Sequence, residues 1–306
     1  MRAKSHAYTR FQDIRNQKMQ VHEAHYEVEE LLNNPSNRAV VDEIIAVLKD
    51  LPVPYYEGKS FLQKKLCIVH PLLNTCSEKW FELLGWQLQA KLSKIADIPD
   101  NGSFDFLLET SPGLFVAVEM QLGNGGRSPR DREKLEQLHH AGKLQFAVVI
   151  SFTRETANHA DSGLAMHETL CRHAEQNRFK IPTVLLGLDA RESEIFDVAK
   201  IPGLTFATSL GGKGSGALRD FVAQAMLDRK NPETLQLPDE ILAEVQALEK
   251  NEIRSKVGAL SYLVDHAVRA QATPLLIDAV TEIEELLKKV RQVIPEAESE
   301  LKKLAA

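Results

Sequence analysis

The stretch FDFLLETSPGLFVAVEMQLGN (104–124) carries carboxylates where a strand would otherwise be wholly apolar. Phe104–Glu109 and Leu114–Leu122 have strand composition, and the intervening Ser-Pro-Gly has turn chemistry, so the segment predicts a hairpin. Side chains alternate along a strand. Phe115, Ala117, Glu119 and Gln121 therefore share one face, and Val116, Val118, Met120 and Leu122 the other. The uniformly apolar second set belongs to the core, which turns Glu119 and Gln121 outward from the sheet, side by side. If Ser111-Pro112-Gly113 is a three-residue loop, Thr110 faces Leu114 and Asp105 falls directly opposite Glu119. A two-residue loop would put Asp105 on the other face.

Two carboxylates opposed across a ladder repel each other unless a cation lies between them. Asp and Glu oxygens suit Mg²⁺, which is commonly held by one or two carboxylates plus a phosphate and keeps several waters. Gln121 points at the same place and can orient a water or a phosphate oxygen. This is the layout of a metal-dependent phosphodiesterase, with Asp105 and Glu119 as metal ligands. The plainer account is a solvated strand face. Directly downstream, GNGG is followed by Arg127, Arg130, Arg132 and Lys134, donors suited to a phosphate backbone. Asp131, Glu133 and Glu136 interleave with them, as on an ordinary solvated helix face. A strand-face residue that holds a metal does not pack the core, so Glu119→Ala is expected to leave folding intact.

The elements that must position these residues follow from pattern. Gln20–Asn33 places Val21, Ala24, Val28 and Leu31 at helical spacing, and a second helix (38–51) follows the breaker Asn-Pro-Ser-Asn. The prolines of 52–60 mark a loop. Ser77 is placed to cap a helix ending at Gly85, and 87–98 reads equally as strand or helix. After the hairpin come a helix with Pro129 near its start and Gly142 past its end, a buried strand (145–152), a helix (about 163–177), a second buried strand (181–189) and a weaker one (204–210). This order predicts a mixed α/β core with some parallel pairing. A polar segment with two prolines (228–238) leads to a tail that is helical throughout. The expected division is a core, 1–230, and a helical extension, 231–306.

Hydrophobic content of 43% and charged content of 26% are those of an ordinary globular protein. The basic, polar N-terminus lacks an apolar run and no segment reaches membrane-spanning length, so a cytoplasmic protein without membrane contact is expected. Cys67, Cys76 and Cys171 follow no CxxC spacing and read as small buried hydrophobes. The net charge of −6 is concentrated at the end: residues 231–306 carry 14 acids against 9 bases. The rest is near neutral, which leaves room for a basic patch. HEAH (22–25) lacks HExxH spacing, His139-His140 point to different helix faces, and SLGGKGSGAL (209–218) misses the phosphate-loop spacing. Trp80 and Trp86 read as core.

The run VAVEMQLGN, with Asp105-Phe106 upstream and QFAVVIS and KIPTVLLGL downstream, resembles the BglII and BstYI group of type II restriction endonucleases. In that group Gln replaces the lysine of the acid-acid-Lys nuclease triad. QVHEAHYEVEELL and KWFELLGW resemble its N-terminal helix and helix-Gly-Trp element. The resemblance spans about 9–190 and implies a restriction-endonuclease-like fold. By it Asp105 and Glu119 match the metal-binding acids and Gln121 the lysine replacement. It further implies Mg²⁺, double-stranded DNA and a homodimer cutting a short palindromic site, with GATC-containing sites in the group. The interval from Asp105 to Glu119 is longer than the group's, and Asp100 is the other candidate acid. Arg127 and Arg130 are the candidates for base contact. Two alternatives stay open: a repair or methylation-sensitive nuclease on the same fold, and a non-catalytic DNA-binding or assembly protein in which the tail does the work.

Overall fold

A computed structural model of the chain describes residues 18–57, 66–96, 102–123, 128–160, 164–176, 178–191, 193–204, 210, 215–269, 273–290 and 302–303. In chain order its main elements are β1 (Gln20–Tyr26), α1 (Pro35–Asp50), β2 (Val53–Glu57), β3 (Leu66–Ile68), α2 (His70–Leu83), β4 (Gln87–Lys91), β5 (Ser103–Ser111) and β6 (Leu114–Met120). There follow α3 (Ser128–His140), β7 (Leu144–Phe152), α4 (His167–Glu175), β8 (Thr183–Asp189), β9 (Ile195–Asp197), α5 (Gly216–Leu227), α6 (Asp239–Arg269) and α7 (Thr273–Val290). Among the described residues no helix is long and apolar enough to cross a membrane.

Six strands form one mixed sheet in the order β1-β8-β7-β6-β5-β4. β6, β7 and β8 run parallel, while β4, β5 and β1 are antiparallel to their neighbours. The expected mixed α/β core with parallel pairing is therefore observed, and helices cover both faces. On one face Phe106, Val116, Val118, Phe146, Val148 and Ile150 join residues of α1, α2 and α5 in the main core. On the other, Leu107, Phe115, Ala117, Ala147 and Val149 pack against Leu135 and Leu138 of α3 and Leu170 and Ala174 of α4. Glu119 and Gln121 thus do not look out into solvent. They lie on a face that α3 roofs over, where they are buried among the apolar residues of that packing.

Several expectations are overturned. Gln20–Tyr26 is an edge strand on β8, not a helix: hydrogen bonding to β8 outweighs a helical spacing made by few apolar residues. Asn34-Pro35 does not break the second helix but starts it. The Asn34 side chain accepts from Ser36 N–H, and Pro35 occupies a first-turn position that needs no donor. Within 52–60, Val53–Glu57 is a strand in a separate three-stranded sheet, β3-β2-β9, that the sequence did not announce; the Pro54 carbonyl still accepts from Val69 N–H. Ser77 does not cap α2, which begins at His70; its hydroxyl bonds Leu73 O one turn back. Segment 87–98 is both: β4, then a turn of helix over Leu92–Ala96. Of the weaker strand at 204–210, residues 205–209 lie outside the described residues, as do Asp100 and Arg127.

Cys76 is buried as expected, its thiol pushed up to about 12 by burial, and Cys171 is half-buried. Trp86 is core and donates to Glu43. In the tail, Val245 joins the main core, whereas Ile253, Val257 and Leu260 of α6 pack with Ile283, Leu286 and Val290 of α7 in a cluster of their own.

Candidate active site

The hairpin turn is tighter than expected: Ser111 pairs with Leu114, leaving only Pro112 and Gly113 in the loop, with Gly113 at φ +75°. That register alone would carry Asp105 to the opposite face. A bulge between Glu109 and Ser111 inserts one residue and cancels the shift, so Glu109 pairs with Phe115 and Phe106 with Val118. One step further along the same register, Asp105 lies opposite Glu119. The expected juxtaposition holds, but a bulge produces it rather than a three-residue loop.

On the other side of Asp105 is Gln89 of β4, whose amide donates to Asp105 Oδ1 (3.3 Å) and accepts from Ser103 Oγ (3.1 Å). Gln89 has φ +48°, an uncommon conformation for a non-glycine residue inside a strand. Three polar residues on adjacent strands, Gln89, Asp105 and Glu119, therefore form a row across the sheet. It ends at β7, where Glu119 pairs with Val149. Asp105 Oδ2 also accepts from Met120 N–H at 2.8 Å, which fixes the carboxylate against β6.

Two residues of α3 complete the constellation. Lys134 Nζ donates to Glu119 Oε1 (2.8 Å) and Ser103 O (2.6 Å), lies 3.1 Å from Asp131 Oδ1, and sits 5.6 Å from the centre of the Phe104 ring. Asp131 in turn accepts from the Gln121 amide at 3.5 Å. Glu119 is 3% exposed, Lys134 5% and Gln121 9%. Gln121 Oε1 is buried without a hydrogen-bond partner, an uncommon condition for an amide oxygen.

The electrostatics follow from this crowding. Burial raises the pKa of Glu119 well above the ordinary carboxylate value, and the adjacent Asp105 raises it further; Lys134 acts in the opposite direction. Asp105 is also raised, by burial first, against the bonds from Met120 and Gln89. Burial alone would lower the pKa of Lys134, but Glu119 and Asp131 overcome it and the net shift is upward. Glu78 of α2 is raised by burial and by the charge of Asp105. An added cation would relieve all three raised carboxyls.

Gln89, Asp105, Glu119, Gln121 and Lys134 line an open cavity of about 690 Å³ at the carboxyl end of β6, with His70 and Asn74 of α2 and Arg130 and Asp131 of α3 on its walls. That is the end of a parallel strand at which open α/β sheets bind ligands. Of the basic residues read as DNA contacts, Arg130 is exposed on the cavity wall and Arg132 is half-buried beside Glu136 at 3.9 Å. Lys134 departs from the expected surface cluster: it faces inward, its ammonium engaged by Glu119, Asp131 and Ser103. Sequence reasoning missed Gln89, Asp131, His70, Asn74 and Glu78. Two signals were available. Asp131, Lys134, Leu135 and Leu138 share one helical face, and His70, Asn74 and Glu78 recur every four residues along α2.

Among the described residues no three His, Cys, Asp or Glu side chains converge as a ready-made metal cage. The donor set fits an ion that takes two protein carboxylates and keeps water for the rest, as Mg²⁺ does. The mutual repulsion of Asp105 and Glu119 and the orphaned Gln121 oxygen are the features that such an ion and its waters would satisfy.

No family model matches the chain, and no curated protein matches it. Among solved structures, restriction endonuclease BglII complexed with a DNA 16-mer aligns at 18% identity with a TM-score of 0.46, covering 56% of this chain and 78% of that one. Free BglII aligns at 19% identity with a TM-score of 0.40, covering 56% and 80%.

Proposed function

We propose that the chain is a Mg²⁺-dependent endonuclease that hydrolyses phosphodiester bonds in double-stranded DNA, acting as a type II restriction enzyme at a short palindromic site. The observation that carries this is the opposition of Asp105 and Glu119 across β5 and β6, within an open cavity into which the unpartnered Gln121 oxygen is built. The similarity of VAVEMQLGN to the BglII and BstYI group supports the same chemistry. Asp105 and Glu119 would hold the ion. When bound, it would lower the pKa of a water and take up charge building on a phosphate oxygen.

The protein's own groups do the remaining work. Gln121 cannot remove a proton at neutral pH, so its oxygen orients a water by accepting from it, while its amide is braced on Asp131. Lys134 holds Glu119 in place. Arg130 on the rim is placed for a phosphate or base edge, and Arg132 lies on the same helix. A two-fold site would be read by two copies of the chain, each placing the same contacts on one half.

A structural ion-pair network is the second account, and one observation favours it: the Lys134 ammonium already has three acceptors around it. The two accounts part on cation dependence. The test is to incubate the protein with unmethylated bacteriophage DNA in Mg²⁺ and, in parallel, in EDTA. Discrete fragments in Mg²⁺ alone, with a common end sequence, support the nuclease. Intact DNA in both, from folded protein, supports the structural network.

A further inference from the structure

The proposed metal site leaves open how many ions it takes, and its charges bear on that question. Asp105, Glu119 and Asp131, when ionised, set three negative charges about the Lys134 ammonium, while the other cation lining the cavity, Arg130, is exposed to solvent on its wall. The excess of this inner cluster is two negative charges, those of one divalent cation. Position agrees with charge. The Lys134 ammonium bridges Glu119 Oε1 (2.8 Å) and Asp131 Oδ1 (3.1 Å), the two acids that would otherwise be free to share a second cation. It cannot swing away without loss, because its third contact is the Ser103 carbonyl at 2.6 Å and its stem is packed at 7% side-chain exposure. Among the described residues no other cation contacts Glu119, and the groups bonded to Asp105 are the neutral Gln89 amide and Met120 N–H. Gln121 Oε1 is a buried acceptor without a partner on a cavity-lining residue that is 9% exposed, where a water of a bound ion can donate to it, and Asn74 Oδ1 on the same wall is another.

We infer that Lys134 occupies the second cation position of this site, so that each chain binds one divalent ion, between Asp105 and Glu119, with the ammonium standing in for another. Asp131 then acts as a positioning residue that holds the ammonium in place. The inference rests on the metal-site function proposed above and deepens it by fixing the stoichiometry.

The experiment counts Mn²⁺ bound per chain by equilibrium dialysis, with free Mn²⁺ read by electron paramagnetic resonance. Wild-type protein should bind one ion and Glu119→Gln none at the same concentration. Lys134→Met should bind two, because Glu119 and Asp131 are then unneutralised. Asp131→Asn keeps the shape and removes one charge; it should still bind one ion, at least about tenfold more weakly. Two ions on the wild type, or one with unchanged affinity on Lys134→Met, overturns the inference. Should Lys134→Met not fold, unchanged affinity in Asp131→Asn overturns it instead. The same preparations are offered duplex DNA. One bound ion without cleavage rejects the nuclease and leaves the count standing, cleavage with two bound ions rejects only the count, and no bound ion rejects both.

Discussion

Replacing Lys134 by Met keeps the volume and apolar stem of the side chain and deletes its charge. In the metal-free protein this strands Glu119, 3% exposed, beside Asp131 and Asp105, and leaves the Ser103 carbonyl without its donor. Removing one partner of a buried pair costs about 3–5 kcal/mol, a large part of the 5–15 kcal/mol that ordinary folds possess. With a urea dependence of about 3 kcal/mol per molar, the unfolding midpoint should fall by roughly 1–2 M. Adding Glu119→Gln removes the stranded charge. The double variant should therefore recover about 2–3 kcal/mol relative to the sum of the single changes. Urea titrations of the four proteins in EDTA, followed by circular dichroism, give the coupling directly. Additive effects would show that Lys134 and Glu119 are independent, and the ion-pair geometry on which the site rests would be wrong.

Three other outcomes are expected. Asp105 and Glu119 have carboxyls raised above their unfolded values, so in EDTA the folded state holds extra protons and their contribution to stability is lost as pH rises above the ordinary carboxylate range. Mg²⁺ needs them ionised. It should therefore raise the melting temperature more at pH 8 than at pH 6, a difference absent in Glu119→Gln; an equal rise at both pH values contradicts the site. A Cβ on Gly187 of β8 would sit 2.6 Å from His167 Cγ, so Gly187→Ala should cost about 1–3 kcal/mol in urea unfolding and His167→Ala in the same chain should restore most of it. Truncation after residue 250 removes the separate α6–α7 cluster and should leave the melting of the core unchanged. Truncation after residue 238 also removes Ile241 and Val245 from the main core and should cost about 3 kcal/mol.

The central sheet was legible because β7 and β8 are buried on both faces and read as continuous apolar runs, because Ser-Pro-Gly sets off β5 and β6 as a hairpin, and because Gly142 marks the end of α3 at φ +68°. β1 was not, since an edge strand with alternating polar side chains and few apolar ones has no period strong enough to exclude a helix. The prolines hid β2, which tolerates Pro54 between two neighbouring strands. Within the site, Asp105, Glu119 and Gln121 were found by alternation, but their burial was not. The sequence of β6 alone does not say that α3 folds back over that face. The error carries into design: Glu119→Ala leaves Lys134 unpaired, so the expectation of undisturbed folding no longer holds and Gln is the suitable replacement. Lys134 was grouped with its basic neighbours because a helix of alternating charge does not declare which cation turns inward.

The most direct measurement compares DNA cleavage by wild type and Glu119→Gln, both shown folded by circular dichroism, in excess Mg²⁺ and in EDTA. Fragments from the wild type in Mg²⁺, none in EDTA and none from the variant are the predicted result. Cleavage by the variant at the wild-type rate would contradict the assignment of Glu119, and with it the site.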